Sequence, residues 1–207
     1  MTKIIKSKHK EGRKRLTCFS RNEKSSFFYK PYKPGQHKSK LKQTKVFGIL
    51  LEERAKLRFA YNMSKKKLKN LFTETSVKYK AADRVYQVMK TLSLKFDRVL
   101  FDSYFAFSIF QSSQFISHRH FLINGKKVNI KSYILKVGDV IQVIDKDSKV
   151  AAIVKENLAL VEADKIPLYL DINRDTLSVT VLRNPELHEI KNIAKIDLQA
   201  AVESLGR

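Results

Sequence analysis

Cysteine is almost missing from this chain. Cys18 is the only one in 207 residues. No intrachain disulfide can form, and no four-cysteine zinc site can be assembled; a lone reduced thiol is expected. Tryptophan is absent, and there are only 6 glycines and 4 prolines, so each glycine in a turn motif carries information. Acidic residues are scarce, 20 against 42 lysines and arginines. No apolar run approaches the ~18 residues of a membrane span. The most apolar, Tyr104 to Phe110, is far too short. The first residues are basic and lack an apolar signal core, so secretion is not expected. Met1 to Lys10 is short and Lys-rich rather than Arg- and Ser-rich, which argues for synthesis in the compartment of use. Catalytic patterns are missing too, with neither a P-loop nor GxSxG, and His9, His37, His118, His120 and His188 lack zincin or Cys-His spacing. No catalytic residue, no cofactor and no metal is expected.

What is present is positive charge on a foldable chain. Hydrophobic residues make up 43% of the sequence, enough for one or two domains with real cores, and the net charge is +22. Such an excess suits a polyanion, nucleic acid before membrane. It is uneven. Residues 1–80 hold 24 Lys or Arg against 5 Asp or Glu, a net of +19, whereas residues 81–207 net only +3. Met1 to Lys45 reads as a basic arm, with Arg13, Lys14 and Arg15 at its densest point. Phe27, Phe28, Tyr29 and Tyr32 are interleaved with Lys30 and Lys33. Alone, such a segment buries too little to offset its ordering entropy and is expected to be disordered. On RNA it would order, with cations on phosphates and rings on bases or on the domain. Pro34-Gly35-Gln36-His37 is a turn.

The strongest local pattern runs from Phe115 to Ile144. Asn124-Gly125 between short apolar runs is a hairpin signal, since both turn residues must tolerate positive φ. Phe121-Leu122-Ile123 enters the turn and Val128-Asn129-Ile130 leaves it. Gly138-Asp139 then precedes a third, β-branched strand, Val140 to Ile144. A helix ends upstream at Ser117-His118-Arg119. Around this unit lie Arg119, Lys126, Lys127, Lys131 and Lys136. His118 and His120 alternate onto one side of the incoming strand. A metal pair is conceivable there, and packing or RNA contact is favoured.

Four further helices are expected. Phe47 to Tyr61 places Phe47, Leu50, Leu51, Leu57 and Tyr61 on one face, with Arg54 and Arg58 inside that same face. Ser64 caps a second helix, Lys65 to Lys80. Lys65, Lys66, Lys67 and Lys69 crowd its start, against the helix dipole. They make either a solvated basic face or a phosphate contact. Asp83 begins a third, with Val85, Val88, Met89 and Leu92 in register. Asp147 to Val161 is a core-packing helix. Ile166 to Ile172 and Leu177 to Leu182 alternate as strands, with Ser178 and Thr180 facing away from the core.

The ordered set Ser117, His118, Asn124, Gly125, Val128, Asn129, Ile130, Ser132, Tyr133, Gly138 and Asp139 resembles the core of the S-four RNA-binding domain. Other segments resemble the S-four family of small-subunit ribosomal proteins, bacterial or organellar type. These are Pro34 to His37, the Arg54-x-Lys56-x-Arg58 helix, Lys95-Phe96-Asp97-Arg98, the strand pair, and Val202-Glu203 near the end. Two departures touch function. Family arginines of the helix before Ser117 are replaced by Ile109 and Ser113. That face must contact RNA more weakly, or contact a protein or altered RNA instead.

The resemblance implies an α+β fold. A basic extended arm (1–46) leads to a helical N-terminal domain (47–94), onto which 186–207 packs back. A small RNA-binding domain (95–185) follows, with helices on a short, mostly antiparallel sheet. It implies a non-enzymatic constituent of the small ribosomal subunit that binds small-subunit ribosomal RNA and helps nucleate assembly. Neighbouring ribosomal proteins would be partners, as would messenger RNA near the opening through which it enters, with influence on decoding accuracy. No membrane partner and no homo-oligomer are implied. The rRNA-binding set is Arg13, Lys14, Arg15, Gln36, His37, Arg54, Lys56, Arg58, Lys65, Lys66, Lys67, Lys69, Lys95, Arg98, His118, Arg119, His120, Asn124, Lys126, Lys127 and Lys131. A stand-alone RNA-binding assembly or rescue factor is the alternative; an RNA-modifying enzyme would need a catalytic domain for which no residues are left. Heavy use of Lys, Phe and Ile points to an organelle, mitochondrion before plastid, with bacterial cytoplasm open.

Overall fold

Asn124 and Gly125 both sit at positive φ, 49° and 76°, the left-handed pair that a type I′ turn requires. The computed structural model that shows this describes residues 8–18, 26–36, 45–161, 166–190 and 196–206. In chain order its helices are α1 (Lys8–Arg15), α2 (Ser26–Tyr29), α3 (Val46–Ala60), α4 (Lys65–Lys78), α5 (Ala81–Ser93), α6 (Phe96–Asp102), α7 (Ile109–Ser117), α8 (Lys149–Ala159) and α9 (Leu198–Gly206). Its strands are β1 (Phe121–Ile123), β2 (Lys126–Lys127), β3 (Val140–Val143), β4 (Leu170–Asn173) and β5 (Ser178–Val181). The fold is α+β. The chain divides into two units, 1–88 with 192–207, and 89–191.

The second unit is a five-stranded antiparallel sheet in the order β2-β1-β3-β5-β4, with α6, α7 and α8 supplying residues to its core. Phe96, Val99, Leu100, Phe105, Ile116, Phe121, Ile141, Val154 and Val179 form one apolar cluster, each essentially inaccessible. Serine hydroxyls start two of these helices. Ser108 accepts from the Gln111 amide (3.2 Å) and Ser148 from the Ala151 amide (3.2 Å).

Two sequence readings change here. Val128, Asn129 and Ile130 are not a strand; β2 ends at Lys127. The chain instead turns to form an isolated bridge between Ile134 and Lys95 and a bond from the Phe96 amide to the Tyr133 carbonyl (2.8 Å). The second half of the hairpin is thus diverted to close over α6. Residues 166–169 are likewise not strand, and β4 begins at Leu170. Ser178 stands opposite core residue Val179 on the face of Thr180, as expected, but is covered there, its hydroxyl 2.7 Å from that of Thr176.

The hairpin is latched rather than merely turned. The Asn124 amide nitrogen Nδ2 donates to Asp139 Oδ1 (2.8 Å), while its Oδ1 accepts from the Val140 amide (2.9 Å). The other oxygen of Asp139 accepts from the Lys136 amide (2.8 Å). This explains chemically why Asn-Gly and Gly-Asp occur together in the sequence.

In the first unit α3 and α9 pack closely, burying Leu50 and Leu57 on one helix and Ala201, Val202 and Leu205 on the other. Two adjacent side chains of α3 hold α9. Glu53 Oε2 accepts from the Asp197 amide at the start of α9 (2.9 Å), and Arg54 Nη1 donates to the Ser204 carbonyl near its end (3.0 Å). Each charge has the sign that complements the nearby helix end. The described parts of the arm are not extended. Lys8–Arg15 and Ser26–Tyr29 are helical. Arg13 joins them, its Nε donating toward the Lys30 and Tyr32 carbonyls (3.2 Å each) and its guanidinium lying over the Tyr32 ring at 4.8 Å. These interactions supply local burial that composition does not reveal.

Asn124→Ala removes both latch bonds and leaves the Asp139 carboxylate short of a donor. Urea unfolding should show a loss of about 1–3 kcal/mol. The same change at exposed Asn129 should cost little; equal effects would contradict the latch.

Candidate nucleic-acid interface

In the second unit Arg119 just past α7 and Lys126 and Lys127 on β2 are exposed, as are Lys136, Lys146, Lys149, Lys155 and Arg174 elsewhere on the unit. Helix α7 closes with a Schellman arrangement. The His120 amide bonds the Phe115 carbonyl (3.2 Å) and the Arg119 amide bonds the Ile116 carbonyl (2.9 Å). The apolar contact that accompanies this motif is Phe115 against the His120 ring, edge-on at 6.2 Å. The residue in the left-handed position is Arg119, at φ 60°. Glycine would sit there with less strain. The side chain that bears the strain is exposed, with exposed His118 before it and half-buried His120 after it, their rings 6.1 Å apart. Lys126 and Lys127 are exposed on β2, paired with Ile123 and Leu122 of β1. Among the described residues no group of three or more His, Cys, Asp or Glu is placed to hold a metal.

Two expected contact residues in this unit, Lys95 and Arg98, turn inward. Lys95 is buried, its Nζ 3.0 Å from Asp97 Oδ1. Asp97 is fully inaccessible, and burial pushes its carboxyl above the usual range, partly offset by Lys95. Arg98 is also buried, donating from Nε to Asp102 Oδ2 (2.7 Å), which the Tyr169 hydroxyl also approaches (3.3 Å). Cations held by buried carboxylates cannot also meet phosphate. Asn124 spends its amide on the latch. Lys131 is half-buried, and its field acts on Asp97.

In the first unit the sequence-predicted cations fall into distinct environments. Lys65, Lys66, Lys67 and Lys69 are exposed on α4, whose first turn is capped by Ser64 accepting from the Lys67 amide (3.3 Å). Lys56 is paired with Glu53 (2.5 Å). Arg15, Arg54 and Arg58 are crowded. Arg15 and Arg58 both lie over the ring of buried Phe59, with guanidinium carbons 4.3 and 4.6 Å from its centroid. Neither Nε has a hydrogen-bond partner, although both atoms are buried. Burial and then the repulsion of Arg15 and Arg54 push the Arg58 guanidinium below its ordinary pKa; Glu11, paired with Arg15, opposes this. Two clefts flank Leu51 and Ala55. One of about 150 Å³ is lined by Arg54, Arg58 and Lys65, the other of about 320 Å³ by Lys14, Arg15 and Lys33. Gln36 is exposed, and His37 lies outside the described residues.

Phe59 is the element the sequence reading missed. It follows Arg58 directly, but its partner Arg15 is 44 positions away, and no spacing rule joins them.

Comparison with known proteins bears on these surfaces. Residues 94–141 match the family described as the S4 domain, and residues 3–92 match the Ribosomal protein S4/S9 N-terminal domain. The chain is 32% identical to a protein of Acidiphilium cryptum and 33% identical to one of Brucella abortus, over the whole of both chains in each case. It is 32% identical to a protein of Thermodesulfovibrio yellowstonii, over 84% of this chain and 81% of the relative. All three relatives carry the name small ribosomal subunit protein uS4.

Arg119→Gly relieves the left-handed strain while removing a cation. Stability should be unchanged or rise by up to about 1 kcal/mol. Affinity for folded RNA, measured by filter binding, should fall. Reduced stability, or unchanged affinity, would contradict this assignment.

Proposed function

Because the chain belongs to the uS4 family of small-subunit ribosomal proteins, we propose that it is a constituent of the small ribosomal subunit that binds small-subunit ribosomal RNA. The observation that carries this reading is the crowding of Arg15, Arg54 and Arg58. Arg15 and Arg58 share one ring, Arg54 and Arg58 line one cleft and Arg15 the cleft beside it. Among the described residues Glu11 is the one carboxylate set against them, and two buried guanidinium Nε atoms lack an acceptor. The excess positive charge of such an arrangement is relieved by a phosphate at the clefts. The exposed lysines of α4 extend this basic surface within the same unit, and Arg119, Lys126 and Lys127 give the second unit a basic surface of its own.

On this reading the protein helps nucleate subunit assembly by holding folded ribosomal RNA. It touches neighbouring ribosomal proteins, lies near the opening through which messenger RNA enters, and influences decoding accuracy. It acts by binding rather than by catalysis and needs no cofactor. Matches spanning the full length of uS4 proteins favour a subunit constituent over a stand-alone factor. The organellar placement drawn from composition gains no support, since the relatives named above are bacterial. Among the described residues no helix is long and apolar enough to cross a membrane.

Changing Arg15 and Arg58 together to Gln should weaken binding to a small-subunit rRNA transcript and flatten its salt dependence. The slope of log K against log salt should fall by roughly 0.7–0.9 for each phosphate that is no longer neutralised. An unchanged slope would mean that these groups meet no phosphate.

A further inference from the structure

The longest stretch of this chain without Lys, Arg, Asp or Glu runs from Ser103 to His118, 16 residues in a protein of net charge +22. It contains all of α7. The helix turns Ile109, Ser112, Ser113 and Ile116 inward. Ile109 enters the core, and the Ser113 hydroxyl bonds the Ile109 carbonyl (2.9 Å) and lies 3.4 Å from Asp97 Oδ2. What remains outside is Phe107, 38% exposed, the exposed amide of Gln114, and the half-buried Phe110, Gln111 and Ser117. Gln111 is fixed, its Oε1 accepting from the Phe107 amide (2.9 Å).

We infer that this outer face of α7 docks an uncharged protein surface, belonging to a neighbour in the subunit, rather than RNA. The inference rests on the subunit reading above and adds a second partner at a defined place. Phosphate neutralisation by cations dominates RNA affinity, and α7 offers no cation over its whole length. A charged protein surface would be equally mismatched, because its charges would be desolvated with nothing opposite them. Half-exposed aromatic rings, amides and hydroxyls without charge match the composition of the centre of a protein interface, where charged residues are depleted and aromatics enriched.

A benzophenone side chain in place of the Phe107 ring, in the full-length chain incorporated into small subunits, tests this. Sedimentation first establishes whether the chain is on the subunit, and its absence there would overturn both readings. With the chain in place, light should link residue 107 to an uncharged stretch of a neighbouring protein. Gln114→Arg and Gln114→Glu should each cut that yield about tenfold, because either sign leaves an unpaired charge in the interface. Circular dichroism of both variants checks that the fold is kept. A link to ribosomal RNA, or gain with Arg and loss with Glu, would overturn the inference in favour of RNA. No link, or one indifferent to both charges, would overturn it in favour of open solvent. Each of these outcomes leaves the subunit reading standing.

Discussion

Like-charge repulsion is the constraint under which this chain folds. Forty-two cations face 20 acidic groups, so each cation must be solvated, paired internally, or left for an external anion. The second unit pairs its buried cations. Lys95 is set against Asp97, and Arg98 against Asp102 with the Tyr169 hydroxyl close by. Buried pairs of this kind add little net stability, but removing one partner typically costs about 3–5 kcal/mol. Their cations are therefore withheld from any ligand. The first unit pairs its cations only in part, setting Arg15 against Glu11 and Lys56 against Glu53 but leaving Arg58 without a carboxylate of its own among the described residues. Arg54 still reaches a carbonyl of α9, yet Arg15 and Arg58 are held against one phenyl ring with buried nitrogens unsatisfied. Cation–π attraction, worth about 0.5–2 kcal/mol for each ring–cation pair, offsets part of the repulsion. The remainder is the charge excess that the proposed phosphate contact would neutralise.

The backbone contributes as well. At Arg119 an exposed cation is presented from a position suited to glycine. Where a surface must be fixed, small polar side chains hold it, as in the Asn124 to Asp139 latch and the serine caps of α7 and α8. The latch ties the β1–β2 turn to the loop before β3, fixing the turn from which Lys126 and Lys127 follow.

Much of this was legible in the sequence because its signals are local. The cap at Ser64, the apolar period of α3 and α5, and the Asn-Gly turn each depend on residues within a few positions of one another. Two kinds of feature were not legible. The fate of a cation depends on what tertiary structure brings to it. Arg98 reads as surface charge until Tyr169, 67 positions from its partner Asp102, closes over that carboxylate. Strand extent fails for a related reason. Val128 to Ile130 has the composition of a strand, but the Phe96 amide competes for the carbonyl of Tyr133 just beyond it and draws the chain away. The guanidinium cluster lies between these cases. Placing Arg54 and Arg58 on the apolar face of α3 flagged them, whereas Arg15 and the Phe59 ring needed three dimensions.

If the crowded guanidinium groups receive ribosomal RNA phosphate, they must lie against that RNA in the cell. The most direct measurement is to cross-link the full-length chain to RNA in intact cells, then sequence the RNA and identify the linked peptides. The expected result is small-subunit ribosomal RNA, joined through peptides that include Arg15 or Arg58. Recovery of transfer or messenger RNA alone would contradict this. So would ribosomal RNA joined only through the Arg119 to Lys131 region.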